Sequence, residues 1–394
     1  VRFLKSAEAR GADHPWFLTV GTSLPHDPCI CPKELFDEYH PHAEVPPLPD
    51  GYLDSLHPAT RQWRSRAGVD AARDDILRSA RAGYCGLVTF EDAILGTVLD
   101  ALEENGLSEN TIVIYCSDHG GVLPRSKRFL YSSGIHCPLI VRIPEKWKHF
   151  WPAKKPGMTV DRIVSFVDMP KTFLSLAGAK VPKSYQGRIF LGDGIEEAPR
   201  YHLSFRERAD ECADMVRGMR DHRYAYIKNY MPWAPNGQRL NYMWKMAGTG
   251  AWEKHYQAGK CDEVTGRFFK PRPSEEFYDT VTDFDNANNL IDNPGHKARI
   301  EELKQAMRKK QLELFDSGLL PENMRLRRAQ DNGMTIYEMV RDPKLYPLEK
   351  YLDFSDVALS RNPAHLDRLV KAMKDPDEGI RYWATCGLDR KSVV

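Results

Sequence analysis

An α/β architecture followed by a smaller α+β subdomain and a helical tail is what this 394-residue sequence predicts, and three patterns predict it. Short apolar runs alternate with amphipathic helical stretches up to about residue 178, the order that builds a mostly parallel sheet sandwiched by helices. After Pro199 the runs become short, closely spaced strands. After Asp353 only helical periodicity remains.

Residues 14–24 contain a short apolar run bounded by turn formers, which reads as a strand buried on both faces. Residues 28–69 carry Pro32, Pro41, Pro46, Pro47, Pro49 and Pro58, a density that no regular element tolerates, so this stretch reads as a long surface excursion. Over 79–105 the residues Leu87, Phe90, Ile94, Val98 and Leu102 recur at spacings of three and four, and Gly106 stands where a left-handed cap belongs. A core-facing helix is expected there. Residues 111–116 and 138–143 read as strands, the first ending in Ser117-Asp118-His119-Gly120. A further strand over 163–167 precedes a helix over 171–177, with Pro170 near the first turn.

In the second half, strands are expected at 201–205, 215–220 and 224–229, closed by a helix over 296–317. The tail reads as two helices, 363–373 and 378–388, around an Asp375-Pro376 turn. The expected boundaries are 1–200 for the α/β domain, 201–325 for the smaller subdomain, 326–352 for a linker and 353–388 for the helical hairpin.

Lys plus Arg (56) nearly cancels Asp plus Glu (55), so no overall field favours nucleic acid or an anionic membrane. Any polyanion must be held by a local cluster. No apolar run is long enough to span a membrane as a helix, and the N-terminus lacks a signal pattern. Among the eight cysteines the one tight pair, Cys29-Ile30-Cys31, lacks the second pair that a zinc site needs. Both ends are unusual. The chain starts at Val1 and soon enters an apolar run, as though from inside a longer protein. Residues 389–394, Asp-Arg-Lys-Ser-Val-Val, are what GAT CGG AAG AGC GTC GTG encodes, a common sequencing adapter, so the biological sequence is expected to end near Leu388.

Asp118 and His119 lie where a buried strand gives way to a loop, the place where open α/β sheets bind ligands. A carboxylate beside an imidazole, followed by two glycines, suits a divalent cation that holds an anionic substrate. An Asx turn with a polar neighbour is the structural alternative. Lys127 and Arg128 follow closely enough to neutralise a sulfate or phosphate. His26, in Ser23-Leu-Pro-His-Asp-Pro28, ends another expected strand and is expected on the same sheet edge as Asp118.

The run Ala93-Ile-Leu-Gly-Thr-Val-Leu-Asp-Ala-Leu-Glu-Glu-Asn-Gly106 through Thr111-Ile-Val-Ile-Tyr-Cys-Ser-Asp-His-Gly120 resembles the sulfatase family of the alkaline-phosphatase-like superfamily. Leu130-Tyr131-Ser-Ser-Gly134, Cys137-Pro-Leu-Ile-Val141, Pro25-His26-Asp27-Pro28, Ser165-Phe-Val-Asp168 and Glu275-Glu-Phe-Tyr-Asp279 continue the likeness over about 16–315. The loop from Gly121 to Arg128 is most similar to the heparan N-sulfatase-like branch. This resemblance implies an alkaline-phosphatase-like fold in which Asp118 and His119 ligate a divalent cation, usually Ca2+. An imidazole ligand leaves Mn2+, Mg2+ or Zn2+ open. By the same resemblance Lys127 binds the sulfate, Arg128 is a second candidate for that role, and His26 contacts the sulfate and protonates the leaving group.

The family nucleophile is a formylglycine made from a Cys/Ser-x-Pro/Ala-x-Arg motif, and this sequence contains no such motif. The family's paired N-terminal aspartates and its Lys-x-His segment are missing as well, so an N-terminal truncation is expected. The resemblance thus implies a sulfuric ester or sulfamate hydrolase acting on a sulfated carbohydrate, periplasmic or secreted, with the chain inactive as given. A phosphodiesterase or phosphonate hydrolase and a non-catalytic sulfated-glycan-binding protein are the alternatives. The tail resembles one HEAT repeat, which implies further repeats and a protein partner. The excursion 28–69 and the aromatics from Tyr230 and Trp233 to Trp252 are the candidate sugar-binding surfaces, although core packing would serve those aromatics equally.

Overall fold

The computed structural model describes residues 1–6, 15–26, 28–44, 69–121, 125–208, 211–245 and 247–389. Asp27, residues 45–68 of the excursion and residues 390–394 of the tail lie outside the described residues. The chain divides into two compact units. The first comprises residues 1–116, 138–160 and 166–196; the second comprises 117–137, 161–165 and 197–394.

In the first unit, α1 (Lys33–Tyr39) packs on α2 (Val69–Glu104). The approach is close: a Cβ on Gly83 would stand 2.2 Å from the Cys29 carbonyl oxygen, and one on Gly86 2.4 Å from Cys31 Sγ. Tyr39 and Thr89 also share a hydroxyl hydrogen bond of 2.7 Å. The helix starts ten residues before its expected beginning at 79 and ends as expected, with Gly106 left-handed at φ +66°. Its described core face is Ala82, Leu87, Ala101 and Leu102, whereas Phe90 is exposed. Ala101 and Leu102 pack with Leu4 and Leu107.

The strands β1 (Val113–Cys116) and β2 (Leu139–Arg142) form as expected but pair antiparallel, with Val113 opposite Arg142 and Cys116 opposite Leu139. The parallel order expected for these two strands is thereby corrected. The segment between them carries one turn of helix, Ser132–Ile135, where a parallel pair needs a crossover helix. Residues 16–24 and 163–167 form no strand, contrary to the sequence pattern. Phe17 is 71% exposed, and among the described residues no neighbouring strand takes up the backbone groups of 16–24. The helix expected at 171–177 is α3 (Met169–Leu176), with Pro170 in its first turn.

The second unit is built on an antiparallel sheet ordered β3 (His202–Arg206), β4 (Val216–Arg220), β5 (Tyr224–Asn229) and β6 (Glu275–Asp279). Between β5 and β6 lie α4 (Asn241–Lys245) and α5 (Ala247–Gln257). Strand alternation gives the sheet two buried faces. Met219, Tyr226 and Phe277 lie on one rung and pack on Ile300, Leu303 and Met307 of α6 (Lys297–Leu314). Val216, Ile227 and Tyr278 face the other way, onto Phe129, Tyr131, Leu240, Met243 and Phe268. This second face receives the loop that carries Lys127 and Arg128.

After α6, Phe315 takes the left-handed cap at φ 55°, two residues before the expected helix end at 317. Residues 326–352, read as a linker, include part of α7 (Glu322–Asp331) and bury Met339, Val340 and Tyr346. The tail helices α8 (Leu348–Leu359), α9 (Leu366–Ala372) and α10 (Glu378–Asp389) share one core with Met215, Tyr230, Leu319 and Leu320. The tail hairpin therefore buries its apolar face on the sheet unit itself. Trp383, fully buried, also donates its indole N–H to the Leu319 carbonyl at 2.9 Å. None of the described helices is long and apolar enough to cross a membrane.

A bidentate ion pair ties α6 to the sheet: Arg217 Nε and Nη2 lie 2.8 and 2.7 Å from the Asp316 carboxylate. Burial alone would raise the Asp316 carboxyl pKa, but Arg217, helped by Gln311, holds it below the ordinary carboxylate value. A depressed folded-state value adds stability that is present above the unfolded-state value of about 3.9 and is lost as pH falls through the folded one. Urea unfolding followed from pH 7 to pH 2.5 is therefore expected to show a stability loss beginning near pH 4 that is shallower in Asp316→Asn. Trp383→Ala is expected to cost about 3–5 kcal/mol at pH 7, read in the same urea titration.

Candidate functional site

The sequence places Ser117-Asp118-His119-Gly120 directly after β1. Ser117 Oγ donates to the His119 carbonyl at 2.6 Å and closes the turn. His119 Nδ1 lies 2.7 Å from the Gly120 carbonyl oxygen, which accepts the ring proton if that nitrogen carries it. The other nitrogen, Nε2, is then a lone-pair donor, and it stands 3.6 Å from Asp118 Oδ1. An imidazole that gives one N–H to a carbonyl while keeping the other nitrogen bare is the arrangement typical of a metal-ligating histidine.

The spacing suits the same chemistry. Bonds of about 2.0–2.4 Å to one cation give ligand-to-ligand edges of about 3–4 Å, so Asp118 Oδ1 and His119 Nε2 fit as two neighbouring ligands. Asp118 is 87% exposed at its side chain and His119 23%, which leaves the pair open on one side. Among the described residues no group of three His, Cys, Asp or Glu side chains comes together to complete a cage. The pair offers two candidate ligands, one oxygen and one nitrogen.

The loop beyond it doubles back on itself. Gly120 and Gly121 donate to the carbonyls of Gly134 and Ser133, each at 2.9 Å, and Lys127 donates to Gly121 at 2.9 Å. Two glycines make this possible: a Cβ on Gly120 would lie 2.1 Å from the Ser133 carbonyl oxygen, and one on Gly134 2.1 Å from that of Ser126 and 2.5 Å from that of Phe129. Arg125 and Arg128 hold positive φ of 69° and 75°, a strained state for side-chain-bearing residues that persists only where surroundings enforce it.

Arg125 lies over the Tyr131 ring at 3.7 Å and donates to the carbonyls of Asp285 and Asn286 at 2.6 and 2.7 Å. Asn286, itself buried with φ 54°, accepts the Ser132 N–H at 2.7 Å. Below the loop, buried Glu276 of β6 accepts hydrogen bonds from the Tyr131 and Tyr278 hydroxyls and from the Asn229 amide. Burial and then the Glu276 charge push the Tyr131 phenol up to about 12, so it remains a donor at any physiological pH. Gly218 admits the loop over β4, since a Cβ there would meet Ser204 Oγ at 2.9 Å and Leu130 Cδ1 at 3.4 Å.

So anchored, Lys127 and Arg128 both lie over one ring. Lys127 Nζ is 4.8 Å and Arg128 Cζ 4.4 Å from the centroid of Tyr242, on α4. Asp118, His119, Lys127 and Arg128 thus belong to one unit and one loop system, while His26 belongs to the other unit, where its N–H donates to the Ser23 carbonyl at 2.9 Å. Sequence spacing does not give Tyr242, Arg125, Asn286 or Glu276 a part in the site, although Arg125 and Glu276 lie in matched segments, because their contacts join segments far apart in the chain. Two aromatics expected as sugar platforms are core residues: Tyr230 is 1% exposed, and Trp252 stacks on Phe268 with centroids 4.4 Å apart. Trp233 is 38% exposed and retains an outward surface.

Comparison with known proteins follows the same outline. The sulfatase family model matches residues 1–179, and the model for the N-sulphoglucosamine sulphohydrolase C-terminal region matches 124–235. Residues 1–235 thus carry the pattern of sulfatases. An ulvan-active sulfatase of Formosa agariphila is 34% identical over 257 residues, covering 64% of this chain and 41% of that protein. An arylsulfatase of Clostridium perfringens is 26% identical over 322 residues, covering 81% of this chain and 58% of its own length. The chain therefore spans about half the length of these relatives. A solved structure from work on glycosaminoglycan metabolism by Bacteroides thetaiotaomicron superposes with a TM-score of 0.50 at 23% identity, over 80% of this chain and 57% of that one. The shared fold is the alkaline-phosphatase-like α/β fold.

The loop's dependence on Gly134 is testable. Gly134→Ala forces a Cβ against two carbonyl oxygens and is expected to cost at least about 2 kcal/mol in urea unfolding. Gly121→Ala, whose Cβ would make only ordinary contact at 3.6 Å, is expected to stay within about 1 kcal/mol.

Proposed function

We propose that this chain carries the cation-ligating and sulfate-binding part of a sulfatase that releases sulfate from a sulfated carbohydrate. The observation that carries this reading is the Asp118–His119 pair, set 3.6 Å apart at the end of β1 with His119 Nδ1 on a backbone carbonyl. The match of 124–235 to the C-terminal region of N-sulphoglucosamine sulphohydrolase supports an N-sulfated glucosamine unit as the substrate. Sulfate esters are the runner-up, favoured by the ulvan-active and arylsulfatase relatives.

In this reading Asp118 and His119 hold a divalent cation, which would supply positive charge to the sulfate oxygens as the S–N or S–O bond breaks. Lys127 binds a sulfate oxygen as a point charge, Arg128 adds a second cation, and His26 protonates the departing nitrogen or oxygen. The donor set, one carboxylate and one imidazole, is acceptable to Ca2+ and better suited to Mn2+ or Zn2+. Attack on sulfur needs a nucleophile, and no Cys/Ser-x-Pro/Ala-x-Arg segment occurs in the 394 residues. The chain is accordingly a binding part without turnover of its own, and export to the periplasm or outside the cell fits a polysaccharide substrate.

Calorimetric titration of residues 1–394 with Mn2+ and Ca2+ tests the reading. Binding of either ion is expected, weakened at least about tenfold in Asp118→Asn and in His119→Ala. Equal affinity in all three proteins would remove the metal role. Sulfate release from N-sulfoglucosamine by this chain alone, read by ion chromatography, would remove the statement that it lacks a nucleophile.

A further inference from the structure

Lys127 and Arg128 are consecutive, yet both lie over the same aromatic ring, at 4.8 and 4.4 Å from the Tyr242 centroid. Consecutive side chains ordinarily diverge, and the positive φ of Arg128 is what turns the backbone at this point. Lys127 has no carboxylate partner among the described residues, so the ring quadrupole is the attraction that holds its ammonium group there. The ring itself is fixed by its neighbours. Leu240 and Met243 are buried in the core under the sheet, the Asn241 N–H is held by the Glu211 carboxylate, and Trp244 donates to the Gln238 carbonyl at 2.8 Å. Tyr242 is thereby presented to the loop from a short helix pinned on both sides.

We infer that Tyr242 is a positioning residue for anion binding: one ring gathers the Lys127 ammonium and the Arg128 guanidinium into a two-cation cradle for a tetrahedral oxyanion. An aromatic face attracts a cation without neutralising it, whereas a carboxylate in the same place would compete with the incoming anion. Two long, rotamer-rich side chains are also ordered before the anion arrives, which lowers the entropic cost of binding it. The inference rests on the sulfate-binding role given to Lys127 above and adds a residue from outside the matched loop.

The test is binding of inorganic sulfate to residues 1–394 at constant ionic strength, with chloride as the control anion and circular dichroism as the folding check. Tyr242→Phe keeps the ring and is expected to bind within about threefold of the unaltered protein. Tyr242→Leu keeps bulk without a quadrupole and is expected to bind about tenfold more weakly, the equivalent of about 1.4 kcal/mol for two cations losing one ring. In a Lys127→Met background the further loss on Tyr242→Leu should shrink, because one of the two cations that the ring positions is already gone. Sulfate binding that survives Tyr242→Leu in a folded protein overturns this inference alone. Absence of sulfate binding by the unaltered chain, or binding indifferent to Lys127→Met, overturns the sulfate-site reading and this inference with it.

Discussion

The buried carboxylate of Glu276 is the constraint on which the site loop depends. It stands on an inner face of the antiparallel sheet, where an isolated charge would be costly, and three donors meet it: the hydroxyls of Tyr131 and Tyr278 and the amide of Asn229. Tyr131 is the one donor that comes from the loop. Breaking that bond leaves a buried carboxylate short of a partner, so loop and sheet are held together by the penalty of separation more than by the strength of one hydrogen bond. Tyr131 also connects to Asn236 at 3.2 Å, and Asn236 sits beside the buried Arg272–Asp214 pair.

From that anchor the geometry of the loop follows in steps. Arg125 stacks on Tyr131 and donates to two carbonyls of the turn after β6, and Asn286 in that turn caps the Ser132 N–H. Gly120 and Gly134 let the two ends of the loop touch, which returns Lys127 and Arg128 to Tyr242. The candidate polar side chains thus stand on a loop, while their placement comes from the sheet and helix that hold it. Such division of labour is common where a rigid scaffold presents a functional loop.

The tail shows the same principle on a larger scale. A helical hairpin cannot bury its own apolar face, and its repeat-like pattern therefore implies neighbours. Here Leu319, Leu320 and Tyr230 of the sheet unit serve that purpose, packing on Ile380 and Trp383. Pattern alone cannot distinguish a hairpin stacked on another repeat from one docked on a different element, because both present the same apolar spacing.

Much of the local structure was legible in the residues themselves. The three-and-four spacing from Leu87 to Leu102 marked α2, and β-branched runs marked β1 and β2. The spacing of short strands marked an antiparallel unit, and Asp118-His119-Gly-Gly marked the turn after β1. These signals are local, since periodicity and turn chemistry are set within a few residues. Pairing direction was not legible: β1 and β2 are antiparallel where alternation suggested parallel order, and 16–24 forms no strand despite its pattern. A strand's partner is chosen by whatever edge can accept its backbone groups, and that lies elsewhere in the chain. Likewise the sequence alone determined which residue types stand together here: a carboxylate, an imidazole and two cations. Only the tertiary structure decided that Tyr242 gathers two of them and that Glu276 fixes their loop, because a cation over a ring and a buried carboxylate with distant donors are contacts between segments that sequence spacing does not join.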